Sequence, residues 1–187
     1  MARGSGRQLP KFLEPSELVA LLAAAHDSHP RDYALVVIMA YAGLRVAEVC
    51  ALTWGDVTER TVFVRHGKGD KQRYVPTHPK ILQSLEAVRE PVEVRTDYIF
   101  TSDRRPGRPM TTRWAQRTVE RLCAAAGIPR EKAHPHSLRH TAATNLLRKT
   151  GNLLFVQRFL SHASVATTQI YAHVVLDDLA EAVNRLE

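Results

Sequence analysis

Four stretches of the sequence carry polar side chains that folding alone does not call for. In Ala42-Gly43-Leu44-Arg45-Val46-Ala47-Glu48 an arginine stands between two apolar segments, where a long cation must be paired or aimed into a cleft. Glu48, three residues on along the same helical face, is the obvious partner for an ion pair. In Gly67-Lys68-Gly69-Asp70-Lys71-Gln72-Arg73 a lysine flanked by glycines sits at a hairpin tip, from which it can offer a charge or a proton to a phosphate. Lysines also occupy such tips simply because tips are wet. In His134-Pro135-His136-Ser137-Leu138-Arg139-His140 the residues His136 and Arg139 share a face at the start of a helix, whose free N–H groups attract anions. His136 and His140 have the i, i+4 spacing of a zinc helix. The intervening Glu is missing, no third ligand is apparent and Arg139 between them would repel a cation, so no metal site is expected. The last stretch runs from Leu160 to His173, with His162 at a helix junction and Tyr171 near the end of the next helix. A tyrosine in such a place is usually a packing residue with a wet hydroxyl.

Each stretch alone is ordinary; the combination is not. Arg45, Lys68, His136, Arg139, His162 and Tyr171 form a set suited to attack on a phosphodiester. A hydroxyl nucleophile can form a covalent phospho-intermediate. Cations stabilise charge on the non-bridging oxygens, and histidines move protons near neutral pH. No carboxylate cluster is placed to hold magnesium, so the chemistry is expected to need no metal and no cofactor. Charge points the same way, with 26 basic against 19 acidic side chains, a net +7 and a pI near 9.8. Such a surface attracts polyanions, nucleic acid first among them, although an excess of this size also serves solubility.

The elements that must position these groups follow from periodicity. Residues 1–12 mix Gly, Ser, Pro and basic residues without an apolar pattern, and read as a flexible arm, a linker stub or an expression remnant. Glu14-Pro15-Ser16-Glu17 opens a helix with Leu18, Leu21, Leu22 and Ala25 on its buried stripe. A strongly apolar helix from Asp32 to Ala42, ended by Gly43, and a short one from Val46 to Leu52 follow. Residues 61–65 and 72–76 are β-rich on either side of turn chemistry, which predicts a hairpin. A helix from Pro79 to Arg89, a short strand at Tyr98-Ile99-Phe100 and an exposed loop from Ser102 to Pro109 come next. Helices are then predicted at Thr112–Ala126, His136–Lys149, Leu153–Leu160, Val165–Tyr171 and Leu176–Leu186. The fold class is mainly α with one small antiparallel β-sheet (α+β), in one domain over residues 13–187. The longest apolar stretch, Tyr33 to Leu44, is too short to cross a bilayer, and no export leader is apparent. Cys50 and Cys123 fall inside apolar helical patterns and read as reduced core residues of a cytoplasmic protein.

The order Arg…Lys…His-x-x-Arg…His…Tyr, with its surrounding words, resembles the tyrosine recombinase (phage integrase) family, and in particular its C-terminal catalytic domain. The words are residues 41–48, 67–73, 136–141 and 160–173, and the resemblance runs from about Leu13 to the C-terminus. It implies a fold shared with the type IB topoisomerases and a set of roles. Tyr171 would attack a DNA phosphate, forming a 3′-phosphotyrosyl bond and releasing a 5′-hydroxyl. Arg45 and Arg139 would clamp the non-bridging oxygens, with a further hydrogen bond from His162. Lys68 would protonate the leaving oxygen, with Lys71 as its competitor, and His136 would assist proton transfer at the tyrosine. Glu48 would brace the site without touching the substrate. Among the other basic residues Arg73, Arg104, Arg105, Arg108, Arg113 and Arg117 are candidates for DNA phosphates, Lys71 with them.

Two departures from the family pattern carry expectations. Ser161 stands where a glycine is common before the second catalytic histidine, which would alter a tight turn beside His162. The sequence has no room for the usual separate N-terminal domain, which reads as either an excised catalytic domain or a naturally minimal enzyme. In either case DNA affinity is expected to be weak and steeply salt-dependent, and site choice loose. The implied partner is double-stranded DNA, with self-association into a synaptic tetramer through the Leu176–Leu186 helix, whose stripe is Leu179, Val183 and Leu186. The implied location is the cytoplasm, at the nucleoid when on DNA. A non-cleaving DNA-binding protein of recombinase ancestry and a topoisomerase-like relaxing enzyme are the alternatives. The presence of all six chemical residue types argues against the first.

Overall fold

The computed structural model describes residues 10–65, 72–89, 97–102 and 104–160, together with 168, 170–172, 180 and 183–184. Helices α1 (Pro15–His26) and α2 (Pro30–Ala42) open it. On α2, Ala34 to Ala40 and Ala42 are all buried, as expected of a helix apolar around its whole circumference. It is the axis of the domain: α1, α4 (Pro79–Glu86) and α6 (Pro135–Thr150) all pack on it. Gly43 then adopts the left-handed conformation (φ 59°) that stops α2, and the chain turns into the short α3 (Val46–Cys50).

The predicted hairpin is present as β1 (Thr61–Val64) and β2 (Arg73–Pro76), antiparallel in the register Val62↔Val75 and Val64↔Arg73. Val62, Val64 and Val75 face the core, while Phe63 and Tyr74 stack outside with ring centroids 4.8 Å apart. Arg73, two residues before Val75, therefore lies on the inward face of the strand.

The next segment corrects the sequence reading. Tyr98-Ile99-Phe100 is not a strand: Ile99 and Phe100 are buried, Tyr98 makes an isolated bridge to Thr53, and Ile99 N–H donates to Leu52 O at 2.9 Å. The expected loop from Ser102 to Pro109 instead holds β4 (Arg105–Pro109), which pairs with β3 (Thr101–Ser102) across a bulge. Among the described residues there are thus two two-stranded ladders rather than one sheet. The exposure predicted for that segment is found at Arg104, Arg105 and Arg108.

Helix α5 (Thr112–Ala125) is capped by Thr111, whose hydroxyl accepts from Trp114 N at 3.2 Å. It buries Ala115, Val119, Leu122 and Cys123 and leaves Arg113 and Arg117 exposed. Its Arg121 pairs with Asp32 of α2. Helix α6 ends at Gly151 (φ 62°) and packs on α7 (Leu153–Leu160). Cys50 and Cys123 are free thiols, and burial pushes both up to about 11. The predicted helices at 165–171 and 176–186 lie mostly outside the described residues, though Thr168, Ile170, Tyr171 and Ala172 are helical. No helix among the described residues is long and apolar enough to cross a membrane.

Candidate active site

Glu48 is the centre of the site. It sits on the first turn of α3, where its Oε2 accepts the backbone N–H of Arg45 at 2.7 Å and so closes the turn after Gly43. Its Oε1 also accepts from Arg45 Nη1 at 2.9 Å, the ion pair that their spacing predicts. Arg73 reaches in from β2 and binds the same carboxylate with both Nη atoms, at 2.8 and 2.7 Å. Arg139 Nη1 lies 4.0 Å from Oε2. Burial alone would raise the Glu48 pKa. The hydrogen bonds from Arg73 and Arg45, with the charge of Arg73, outweigh it and hold the carboxyl below its usual range.

Arg139, on α6, is 5% exposed. Its Nη1 donates to Gly43 O and its Nη2 to Leu160 O, each at 2.6 Å, so the guanidinium ties the end of α2 to the end of α7. Each Nη keeps a second N–H for another acceptor. Burial, then the neighbouring charge of Arg45, push its pKa down to about 10, and it stays cationic at neutral pH. Gly43 permits the arrangement in two ways. It takes a positive φ, and a Cβ on it would stand 2.6 Å from Phe159 Cε1.

Tyr171 is 1% exposed, packed among Ala143, Leu147, Val156 and Leu160. Burial pushes its phenol up to about 12 against the opposing pull of Arg139. Its hydroxyl lies 2.7 Å from His140 Nδ1. The histidine beside the tyrosine is therefore His140, where the sequence reading expects His136. His136 is exposed, with its ring centroid 6.5 Å from that of His140. Burial, then His134, Arg139 and Arg45, lower its pKa and favour the neutral ring. The signal for His140 was in the sequence, since it lies one helical turn beyond His136 and next to Arg139.

Arg45, Glu48, His136, Arg139 and Tyr171 are thus gathered around one site. Lys68, Lys71 and His162 lie outside the described residues. Arg73, expected to face DNA, instead has a side chain only 10% exposed, with its guanidinium bound to Glu48. The inward face that it shares with Val75 is the sign of this in the sequence. Arg113 and Arg117 line a separate open groove of about 810 Å³ with Arg104, Arg105 and Arg108, between β4 and the start of α5. Among the described residues none of these five arginines pairs with a carboxylate.

Residues 11–176 match the model of the phage integrase family. A tyrosine recombinase of Pseudothermotoga lettingae is 37% identical over 183 residues, covering 96% of this chain and 62% of the relative. Tyrosine recombinase XerD of Vibrio cholerae is 35% identical, covering 95% of this chain and 61% of the relative. The crystal structure of XerA recombinase superposes with a TM-score of 0.80 at 37% identity, covering 96% of this chain and 67% of that one. XerH site-specific recombinase, bound to its palindromic difH substrate in a post-cleavage complex, gives 0.82 at 30% identity, covering 98% and 55%. The chain spans about three fifths of the length of these curated relatives. With the family model matched over most of its length and a buried carboxylate gathering its arginines beside a tyrosine, the chain belongs to the phage integrase family.

Proposed function

We propose that the chain is the catalytic domain of a site-specific DNA recombinase that cleaves and rejoins strands through a 3′-phosphotyrosyl bond at Tyr171. The observation that carries this reading is the approach of Arg45 and Arg139 to buried Glu48, with Tyr171 in the field of Arg139. Two cations held by a carboxylate, with unused N–H groups, suit the two non-bridging oxygens of a phosphodiester. Under this reading Glu48, with Arg73, holds Arg45 in place and touches no substrate. Lys68 supplies the proton for the leaving 5′ oxygen, His162 adds a donor to the phosphate, and His136 acts beside the arginine pair. Because the covalent bond conserves the energy of the cleaved one, rejoining needs no nucleotide cofactor.

In this reading the groove lined by Arg104, Arg105, Arg108, Arg113 and Arg117 takes phosphates of the duplex away from the scissile one. Several copies assemble on DNA in this reading, with the Leu176–Leu186 segment as the expected contact between them. The protein would then work at the nucleoid. Recombinase relatives, one of them bound to its palindromic difH substrate in a post-cleavage complex, support the proposal.

The test uses a pool of duplexes of randomised sequence, nicked so that the fragment carrying the 5′-hydroxyl diffuses away. Incubated in EDTA and run on a denaturing gel, the chain is expected to give a slower covalent band that is absent with Tyr171→Phe. Sequencing the trapped DNA then reports the site. A band that persists in Tyr171→Phe moves the nucleophile elsewhere. DNA that is bound but never trapped makes the protein a non-cleaving binder and overturns the proposal.

A further inference from the structure

The role of His140 rests on the function proposed above, in which the phenolic proton of Tyr171 must leave as its oxygen closes on phosphorus. A base for that proton has to stand within hydrogen-bond reach of the oxygen. His140 stands there, with Nδ1 2.7 Å from Oη and the two rings 5.7 Å apart and tilted by 49°. Helix α6 builds this contact. His140, Ala143 and Leu147 follow at i, i+3 and i+7, and form one stripe. Ala143 and Leu147 of that stripe belong to the apolar cluster that encloses Tyr171. The same helix points Arg139 at the carbonyls of Gly43 and Leu160, so one turn of α6 supplies both a charged clamp and the contact to the tyrosine. The apolar enclosure that holds the phenol neutral until it reacts also makes a base necessary. His136 is exposed and turned to the field of Arg45 and Arg139.

We propose that His140, and not His136, is the general base for Tyr171. As Oη attacks, the P–Oη bond forms and the bond from phosphorus to the 5′ oxygen breaks. The phenolic proton passes to His140 Nδ1, and the leaving oxygen takes its proton from the general acid on the other side. On rejoining, the proton on Nδ1 returns to Oη as that oxygen departs. The ring must start in its neutral Nε2–H form, which leaves the Nδ1 lone pair facing the hydroxyl.

The test follows single-turnover adduct formation on the nicked duplex recovered from the pool, with the full chain and its variants checked for folding by thermal denaturation. His140→Ala and His140→Asn are both expected to slow cleavage by about 10²-fold or more. Asparagine can still accept a hydrogen bond from the hydroxyl but cannot take its proton, and it stands in where alanine fails to fold. Replacing tyrosine by a ring-fluorinated, more acidic analogue should narrow the gap between wild type and variant, which a merely structural contact would leave unchanged. Cleavage by His140→Ala or His140→Asn at the wild-type rate overturns the assignment, and so does a gap that fluorination does not narrow. Absence of an adduct from the wild type itself overturns the recombinase reading, and with it the base. An adduct from wild type with no loss in the variants overturns the base alone.

Discussion

A single carboxylate stands among three arginines. Glu48 is buried, and Arg45, Arg73 and Arg139 all lie within 4.0 Å of it. Removing one partner of a buried ionic cluster leaves the others uncompensated, so Glu48→Ala should cost about 3–5 kcal/mol of stability. It should also abolish adduct formation, because Arg45 loses the partner that aims it. Urea denaturation and the trapping gel check the two effects separately. The sign of the acid response follows from the depressed Glu48 pKa. Its contribution is complete above the unfolded value of about 4.3 and is lost as pH falls through the lower folded value. Only part of this cluster is legible along the chain. Arg45 and Glu48 are helical neighbours, whereas Arg73 reaches Glu48 from 25 residues away, and only the fold of the β1–β2 hairpin brings it there. His140 shows the complementary limit: its face of α6 is predictable from His136, but which histidine meets Tyr171 depends on how the last helices dock.

At the scale of elements, three helices open on the same pair of residues. His29-Pro30, His78-Pro79 and His134-Pro135 begin α2, α4 and α6, each with proline preset for the first turn. In each the imidazole Nδ1 accepts a backbone N–H, from Arg31 at 3.1 Å, Lys80 at 3.2 Å and Ser137 at 3.1 Å. A ring can accept in this way only while neutral. For His78, burial and then the charges of Lys80 and Lys149 lower the pKa in the fold. The unfolded chain therefore takes the proton first, and stability should fall as pH drops below about 6.5. His78→Asn keeps an acceptor at the cap and loses the titration. Urea midpoints measured from neutral to mildly acid pH should therefore decline less in the variant. The helices themselves were readable because their caps, prolines and apolar stripes are local. The second ladder was not. Arg105-Pro106-Gly107-Arg108-Pro109 has neither alternation nor β-branched residues. It is a strand because it meets Thr101-Ser102, held by the buried Ile99 and Phe100 just before them.

Across the whole molecule, the excess of seven positive charges has one visible focus among the described residues. Five arginines without carboxylate partners among the described residues line one groove, whereas the arginines of the site are already engaged. Duplex binding should therefore weaken linearly in the logarithm of salt concentration. Each phosphate left without its cation should reduce the slope by about 0.9, so Arg113→Gln with Arg117→Gln should flatten it by about 2. Fluorescence anisotropy over a salt series measures this. Cleavage per bound complex should be unchanged, since neither residue adjoins Tyr171.

The three-to-one ratio around Glu48 has a thermodynamic meaning of its own. Folding gathers like charges that the unfolded chain keeps apart, so the native state is loaded against their repulsion. An oxyanion entering between Arg45 and Arg139 relieves that load, and relief counts equally toward binding and toward folding. Inorganic sulfate should accordingly raise the melting temperature beyond what sodium chloride of the same ionic strength achieves, and Arg45→Gln should lose the increment. The protein would then be at its most stable in the moment it holds a phosphate, with the tension set by folding released where the strand is cut.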